Sequence, residues 1–327
     1  MKVLLMPDPT SPYNEDAFCR EMIQRASSLG HEAALTPVAG AAPPKYFGQD
    51  ADAILINSFQ ALPLDAALAS GRRCAVRLID SFADASEPDL RAIKELLLQA
   101  HRLLVPSQHL ANLVRSWGGE RLVSLVPYAY DRVRAHQIAL VTMRASRPAD
   151  FQIVTNCHFQ EACRPGLELL LSAIASLRFD WHLTLVGHGP LRQAIQDRVR
   201  HILPMDRVLF TGDIPHHKFM ELLRCAKAYV NPTGAEGFPA LALYSLAEGC
   251  PVVAPRFGAV PELIVDGKNG LLFHPGNAVS LSEALVTLWS VRGLSLQLIS
   301  EGIKTVESHN WDATVKAAFK ALEEMVR

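Results

Sequence analysis

Residues 236–241 read Glu-Gly-Phe-Pro-Ala-Leu, a carboxylate and a glycine–proline turn leading into the apolar run 240–247. The pattern predicts a helix over 237–248. Its first amides have no intrahelical partner and sit at the positive end of the helix dipole, which suits a phosphate or a polar sugar. Pro239 lacks an N–H but is tolerated in a first turn, so the donors would be Gly237, Phe238, Ala240 and Leu241. Glu236 has the chemistry to accept hydrogen bonds from two sugar hydroxyls. A second turn, Gly187-His188-Gly189-Pro190, follows the apolar run 182–186. It has neither the third glycine nor the later acid of a dinucleotide fingerprint.

Two metal patterns are decoys. Asp50-Ala51-Asp52 leads directly into an apolar strand and reads as a turn. His216 and His217, with His182 or His201, would place adjacent histidines on different helix faces, which seldom share one ion. No metal and no cofactor is expected.

Such turns need a scaffold of short buried strands. Apolar runs at 2–6, 32–38, 53–57, 74–79, 102–105 and 122–126 alternate with helical patterns at 14–29, 62–70, 87–100 and 107–117. Gly30 closes the first helix and Ser107 is placed to cap the last. The alternation predicts parallel βαβ units in an open doubly wound sheet. An arginine-rich stretch, 130–150, reads as a linker, after which the alternation restarts. Strands are expected at 151–155, 182–186, 208–211, 228–231 and 251–254. Helices are expected at 165–177, 190–203, 215–225, 280–289 and 311–326, with Leu191, Ile195, Val199 and Ile202 as one core stripe.

The chain of 327 residues suits two domains. It is 49% hydrophobic and 20% charged, with net charge −1, so a nucleic-acid partner is not expected. The basic groups Arg72/Arg73/Arg77 and Arg192/Arg198/Arg200 read as solvated faces. Six scattered cysteines without a CxxC fit free thiols in a reducing compartment. The opening MKVLLMPDP holds too short an apolar run for a signal peptide, and no run is long enough to span a bilayer. A cytoplasmic location is expected.

The runs VGHGPLRQAI (186–195), DRVLFTGDIPHHKFMELLRCAKAYVNPT (206–233), EGFPALALYSLAEGCPVVA (236–254) and GAVPELIVDGKNGLLFHPGN (258–277) together resemble retaining glycosyltransferases of the GT-B fold, in the large GT4 family. MKVLLM, LGHEAALT and the stretch from RLLVPSQHL to VPYAYD resemble that family's first domain more weakly. The resemblance implies two Rossmann-like, doubly wound parallel-sheet α/β domains facing across a cleft. The first, acceptor-side domain would be 1–145 completed by a terminal helix at 309–327; the second, nucleotide-sugar-binding domain would be 150–308.

The same resemblance implies site residues. Glu236 matches the first Glu of an E-x7-E motif, and Arg164 is the nearest basic residue to the family's diphosphate position; both are assigned catalysis. Gly237, Phe238, Pro239, Ala240, Leu241, Gly187, His188, Gly189, Ile214 and His158 would surround the donor. Tyr244 stands where relatives carry the second Glu, and reads either as an altered nucleotide contact or as a core tyrosine. Pro165 precedes Gly166 where relatives carry a Lys. Ile79 replaces a histidine. Asp80, Tyr13 and Asn14 would lie on the acceptor side.

The function implied is retaining transfer of a sugar from a UDP- or GDP-sugar to a glycan, lipid or small-molecule acceptor, as in polysaccharide biosynthesis, without a metal. Peripheral membrane contact is compatible with it. The departures at Ile79, Tyr244 and Pro165 also fit a catalytically degenerate GT-B binding module, or a partner subunit of an active glycosyltransferase.

Overall fold

The computed structural model describes residues 1–7, 15–35, 51–57, 64, 67–79, 86–130, 150–233 and 237–327, without the side chains of Glu15 and Asp16. The chain divides into two compact units, residues 1–129 with 309–327, and residues 130–308. The sequence reading carries the first domain to residue 145. Of that interval Tyr130 is described, and its hydroxyl donates to Glu248 Oε1 at 3.1 Å, inside the second unit.

In the first unit six described strands form one parallel sheet. These are β1 (Lys2–Met6), β2 (Glu32–Leu35), β3 (Ala53–Asn57), β4 (Arg73–Arg77), β5 (Arg102–Val105) and β6 (Val123–Leu125). Their order is β2-β1-β3-β4-β5-β6. All five residues of β3 are buried, as a central parallel strand covered on both faces requires. One face packs on helices Glu15–Ala26 and Trp311–Val326, through Phe18, Met22, Val315 and Phe319. The other packs on Gln108–Ser116, through Leu110 and Val114. Ser107 caps that helix, its hydroxyl accepting the Leu110 amide at 3.1 Å. Asn310 caps the terminal helix through the Ala313 amide at 3.0 Å. In β4 the basic group parts company: Arg73 is exposed, but Arg77 is buried against the expectation of a solvated face.

The second unit repeats the plan. β7 (Phe151–Asn156), β8 (Trp181–Val186), β9 (Val208–Gly212), β10 (Ala228–Val230), β11 (Val252–Pro255) and β12 (Leu271–Phe273) pair in parallel. Their order is β12-β11-β10-β7-β8-β9. The chain runs outward from β7 to β9, then crosses back to lay β10 on the other side of β7. The gap between β7 and β10 is therefore the topological switch point, where open α/β sheets bind ligands beyond their carboxyl ends.

Leu191, Ile195 and Val199 are buried as the stripe predicts, with Ile202 packed at its edge. The sequence pattern does not predict helix Leu294–Ser308. Its buried stripe is Leu298, Gly302 and Val306 at helical spacing. A glycine within the stripe hides the pattern. Here it permits close contact, because a Cβ on Gly302 would stand 2.9 Å from Leu246 Cδ2.

Candidate functional site

Three loops leave the carboxyl ends of β7, β8 and β10, and glycines let them close on one another. Gly187 follows β8 with φ of 124°. A Cβ there would stand 1.9 Å from the Cys157 carbonyl oxygen, and one on Gly189 would stand 1.8 Å from that of His158. The Gly-His-Gly turn thus lies directly on the backbone after β7. Backbone bonds fix the join: Cys157 N–H to Val186 O at 2.9 Å, Gly187 N–H to Gly212 O at 2.9 Å, and Leu191 N–H to Phe159 O at 2.9 Å. Phe159, fully buried, adopts a positive φ of 48° in this tight loop. His158 and His188 are both exposed on the two loops so joined.

The third contact crosses the switch point. Helix Arg164–Ala175 begins with no side-chain cap, and Pro165 stands in its first turn. A Cβ on Gly166 would meet Thr233 Cγ2 at 2.8 Å and Pro232 O at 2.9 Å. The amino end of this helix therefore abuts the loop after β10. Asn231, itself buried, shapes that loop: its Oδ1 accepts the Thr233 amide at 3.1 Å and the Thr233 hydroxyl at 3.3 Å. No side chain caps this end, although the Arg164 amide bonds Glu161 O in the short 3-10 turn before it and Pro165 has none, so what the helix offers an anion at the switch point is chiefly its positive dipole end.

Arg164 lies at this opening as a bound cation. Its Nε and Nη2 donate to Glu161 Oε1 at 2.6 Å and Oε2 at 3.1 Å. The hydrogen bond from Arg164 lowers the Glu161 carboxyl below the usual range, and the same bond raises the guanidinium. A ligand diphosphate would have to compete with Glu161 for it.

The predicted helix over 237–248 begins later, at Ala240, and spans Ala240–Ala247. Gly237, Phe238 and Pro239 are buried in the preceding turn, and Ala240 and Leu241 are half-buried. The Ala240 amide donates to Phe238 O at 2.9 Å, so it is not among the outward donors. No side chain caps this helix either. Ile214 is half-buried after β9. Glu236, Asp80, Tyr13 and Asn14 lie outside the described residues.

Tyr244 belongs to the core rather than to a ligand-facing surface. It is fully buried, its ring 5.2 Å from that of Tyr130 and 5.5 Å from His216. The carboxylate of this helix comes one turn later. Glu248 is fully buried and accepts from Arg224 Nε at 2.5 Å as well as from Tyr130. The sequence carried a signal for it, an acid between an apolar helix and Gly249-Cys250, but its partners lie 24 and 118 residues away. Among the described residues no cluster of His, Cys, Asp or Glu could hold a metal ion. No described helix is long and apolar enough to cross a membrane.

Residues 151–290 match the family model described as glycosyl transferases group 1. Uncharacterized glycosyltransferase MJ1178 of Methanocaldococcus jannaschii is 28% identical over 165 residues, 49% of this chain and 45% of its own. D-inositol 3-phosphate glycosyltransferase of Acidothermus cellulolyticus is 30% identical over 161 residues, 47% of this chain and 35% of its own. The match thus spans less than half the length of these relatives. Among solved structures, Anabaena HepE in complex with UDP and glucose superposes with a TM-score of 0.77 at 18% identity, covering 99% of both chains. Sucrose-phosphate synthase from Thermosynechococcus elongatus gives 0.78 at 19% identity, again with 99% of both chains. At these identities the likeness is one of fold, two Rossmann-like sheets of the GT-B type.

Proposed function

Because residues 151–290 of its second unit match the glycosyl transferases group 1 model, we propose that it transfers a sugar from a nucleotide-sugar donor to an acceptor, with retention and without a metal. One observation carries this reading. Gly166, Gly187 and Gly189 bring the backbone after β7, β8 and β10 together at the switch point, beside an uncapped helix N-terminus. That is a setting for a diphosphate. The HepE structure, solved with UDP and glucose, supports UDP as the nucleotide; GDP is the other expected one.

In this reading the positive dipole end of helix Arg164–Ala175, with Arg164, stabilises charge on the leaving diphosphate. Such preorganised dipoles lower the barrier without moving during the reaction. Glu236 orients the donor sugar, and His158 and His188 border the nucleotide from the joined loops. The acceptor is a glycan, a lipid or a small molecule held by the first unit.

Two observations favour a second reading, a degenerate GT-B module that assists an active glycosyltransferase. Tyr244 offers a ligand no surface, and Arg164 is already neutralised by Glu161. Calorimetry with UDP, GDP, ADP and their sugars, joined to donor hydrolysis, separates the two. The transferase reading expects UDP or GDP to bind, and donor turnover to fall at least tenfold in Glu236→Ala, on the order of one lost charged hydrogen bond. Binding without turnover selects the module. If none of the nucleotides or sugars binds, the transferase reading is wrong.

A further inference from the structure

Two charged residues are buried among the described ones, Glu248 and Arg77. Glu248 has its counter-ion in Arg224. Arg77 has none. It closes β4 at the carboxyl edge of the first unit's sheet and is 4% exposed. Its Nη1 donates to Asn57 Oδ1 at 2.9 Å, from the register partner that closes β3. Its guanidinium carbon stands 4.3 Å from the Phe18 ring centroid and 5.4 Å from that of Tyr128. Among the described residues no carboxylate approaches it and no second acceptor takes its other N–H groups.

A guanidinium cannot shed its charge at ordinary pH, and burying one without an anion is expensive. Aromatic faces recover only part of that cost. The rings do something else as well: they fix the plane of the fork, with Asn57 holding one end. A fork so held has a ready edge for two oxygens of one anion. It also sits at the carboxyl ends of neighbouring parallel strands, where such sheets place their ligands.

We infer that Arg77 is the centre of an anion-binding site in the first unit, with Asn57, Phe18 and Tyr128 positioning it, and that it takes a carboxylate or phosphate group borne by the acceptor. The assignment to the acceptor rests on the proposed transferase function; the anion site does not.

Thermal unfolding of the full chain tests it, with inorganic phosphate, glucuronate and, as the neutral control, glucose. Phosphate or glucuronate at about ten times its dissociation constant is expected to raise the wild-type Tm by about 2 °C, and glucose not at all. Arg77→Met should lose that rise while keeping its anion-free Tm within a few degrees, since an apolar replacement removes a buried charge. Arg77→Gln, which keeps a polar contact to Asn57, serves if the methionine variant does not fold. The larger response, to phosphate or to glucuronate, identifies the anion. No rise in the wild type, or an equal rise in wild type and variant, overturns the inference. UDP calorimetry on Arg77→Met separates the two hypotheses. If UDP binds neither protein while the anion response depends on Arg77, the transferase reading fails and the site stands.

Discussion

The fully buried Glu248 carboxylate takes the Nε–H of Arg224 at 2.5 Å, from the helix that precedes β10. Its other oxygen takes the Tyr130 hydroxyl. One acid thereby ties the start of the second unit, helix His216–Cys225 and the end of helix Ala240–Ala247.

Removing one partner of this pair should be far worse than removing both. Arg224→Met leaves the fully buried Glu248 carboxylate without its counter-ion and is expected to cost ~3–5 kcal/mol, with Glu248→Leu as the other single. Glu248→Leu combined with Arg224→Met should cost much less, because no charge is then stranded. Urea unfolding of the two singles and the double closes the cycle. Additive losses would show that the pair is not coupled.

The glycine contacts should separate stability from binding. Gly187→Ala and Gly189→Ala drive a methyl into carbonyl oxygens that are part of the fold, and each is expected to cost more than ~3 kcal/mol. Gly30→Ala, also at positive φ but with nothing within 4 Å, should cost only about 1 kcal/mol. Gly166→Ala meets Thr233 Cγ2 at 2.8 Å and Pro232 O at 2.9 Å, a milder overlap than at Gly187 and Gly189, so it should weaken UDP binding about tenfold with a smaller change in Tm. Differential scanning calorimetry and titration calorimetry on the four variants give both quantities.

Arg164 and Glu161 should move donor affinity in opposite directions. Arg164→Ala removes the cation and is expected to weaken UDP binding about tenfold or more, the scale of one charged hydrogen bond. Glu161→Gln releases it and should tighten binding several-fold. Identical dissociation constants in wild type and both variants would make the pair an ordinary surface ion pair, of small worth.

Two histidines set an acid limit on stability. His309 is held below its ordinary pKa of 6.5 chiefly by burial, a shift partly offset by the hydrogen bond between its Nδ1 and Tyr128 O. His101 is lowered by burial and by Arg73, and its Nδ1 accepts the Cys74 amide at 3.1 Å. Below 6.5 the unfolded chain binds protons that the folded rings resist, so stability falls as pH drops from 7 towards 5. The contribution is fully present above 6.5. His101→Asn and His309→Asn should each flatten the fall of Tm over that range; an unchanged slope in both would show that other groups set it.

Burial acts on a thiol in the opposite sense, since the charged form of a thiol is its deprotonated one. The Cys74 thiol is pushed up to about 11, so it should resist alkylation at pH 8 in the folded chain while exposed Cys225 reacts. Mass mapping after brief iodoacetamide treatment reads this directly.

Much of the architecture was legible because its signals are local. A parallel strand covered on both faces is a short apolar run, whichever residues cover it, so β1, β3 and β5 could be placed to the residue. Caps such as Ser107 need only the next turn of chain. The spacing of VGHGP and EGFPALALY likewise marked the turns after β8 and β10. By itself, then, the sequence determined the alternation, the two sheets and the resemblance of the second to glycosyl transferases group 1. It did not determine which polar residues face a ligand, because that depends on what distant segments cover. Tyr244 became core through Tyr130 and His216. Glu248 became a buried ion through Arg224. Helix Leu294–Ser308 emerged from a stripe that includes glycine, where close approach to Leu246 stands in for a side chain. In the sequence Arg77 is one more basic residue in a basic cluster; its burial comes from two rings supplied by other parts of the chain. Burial and charge pairing are sums over the whole fold, and only the tertiary structure performs them.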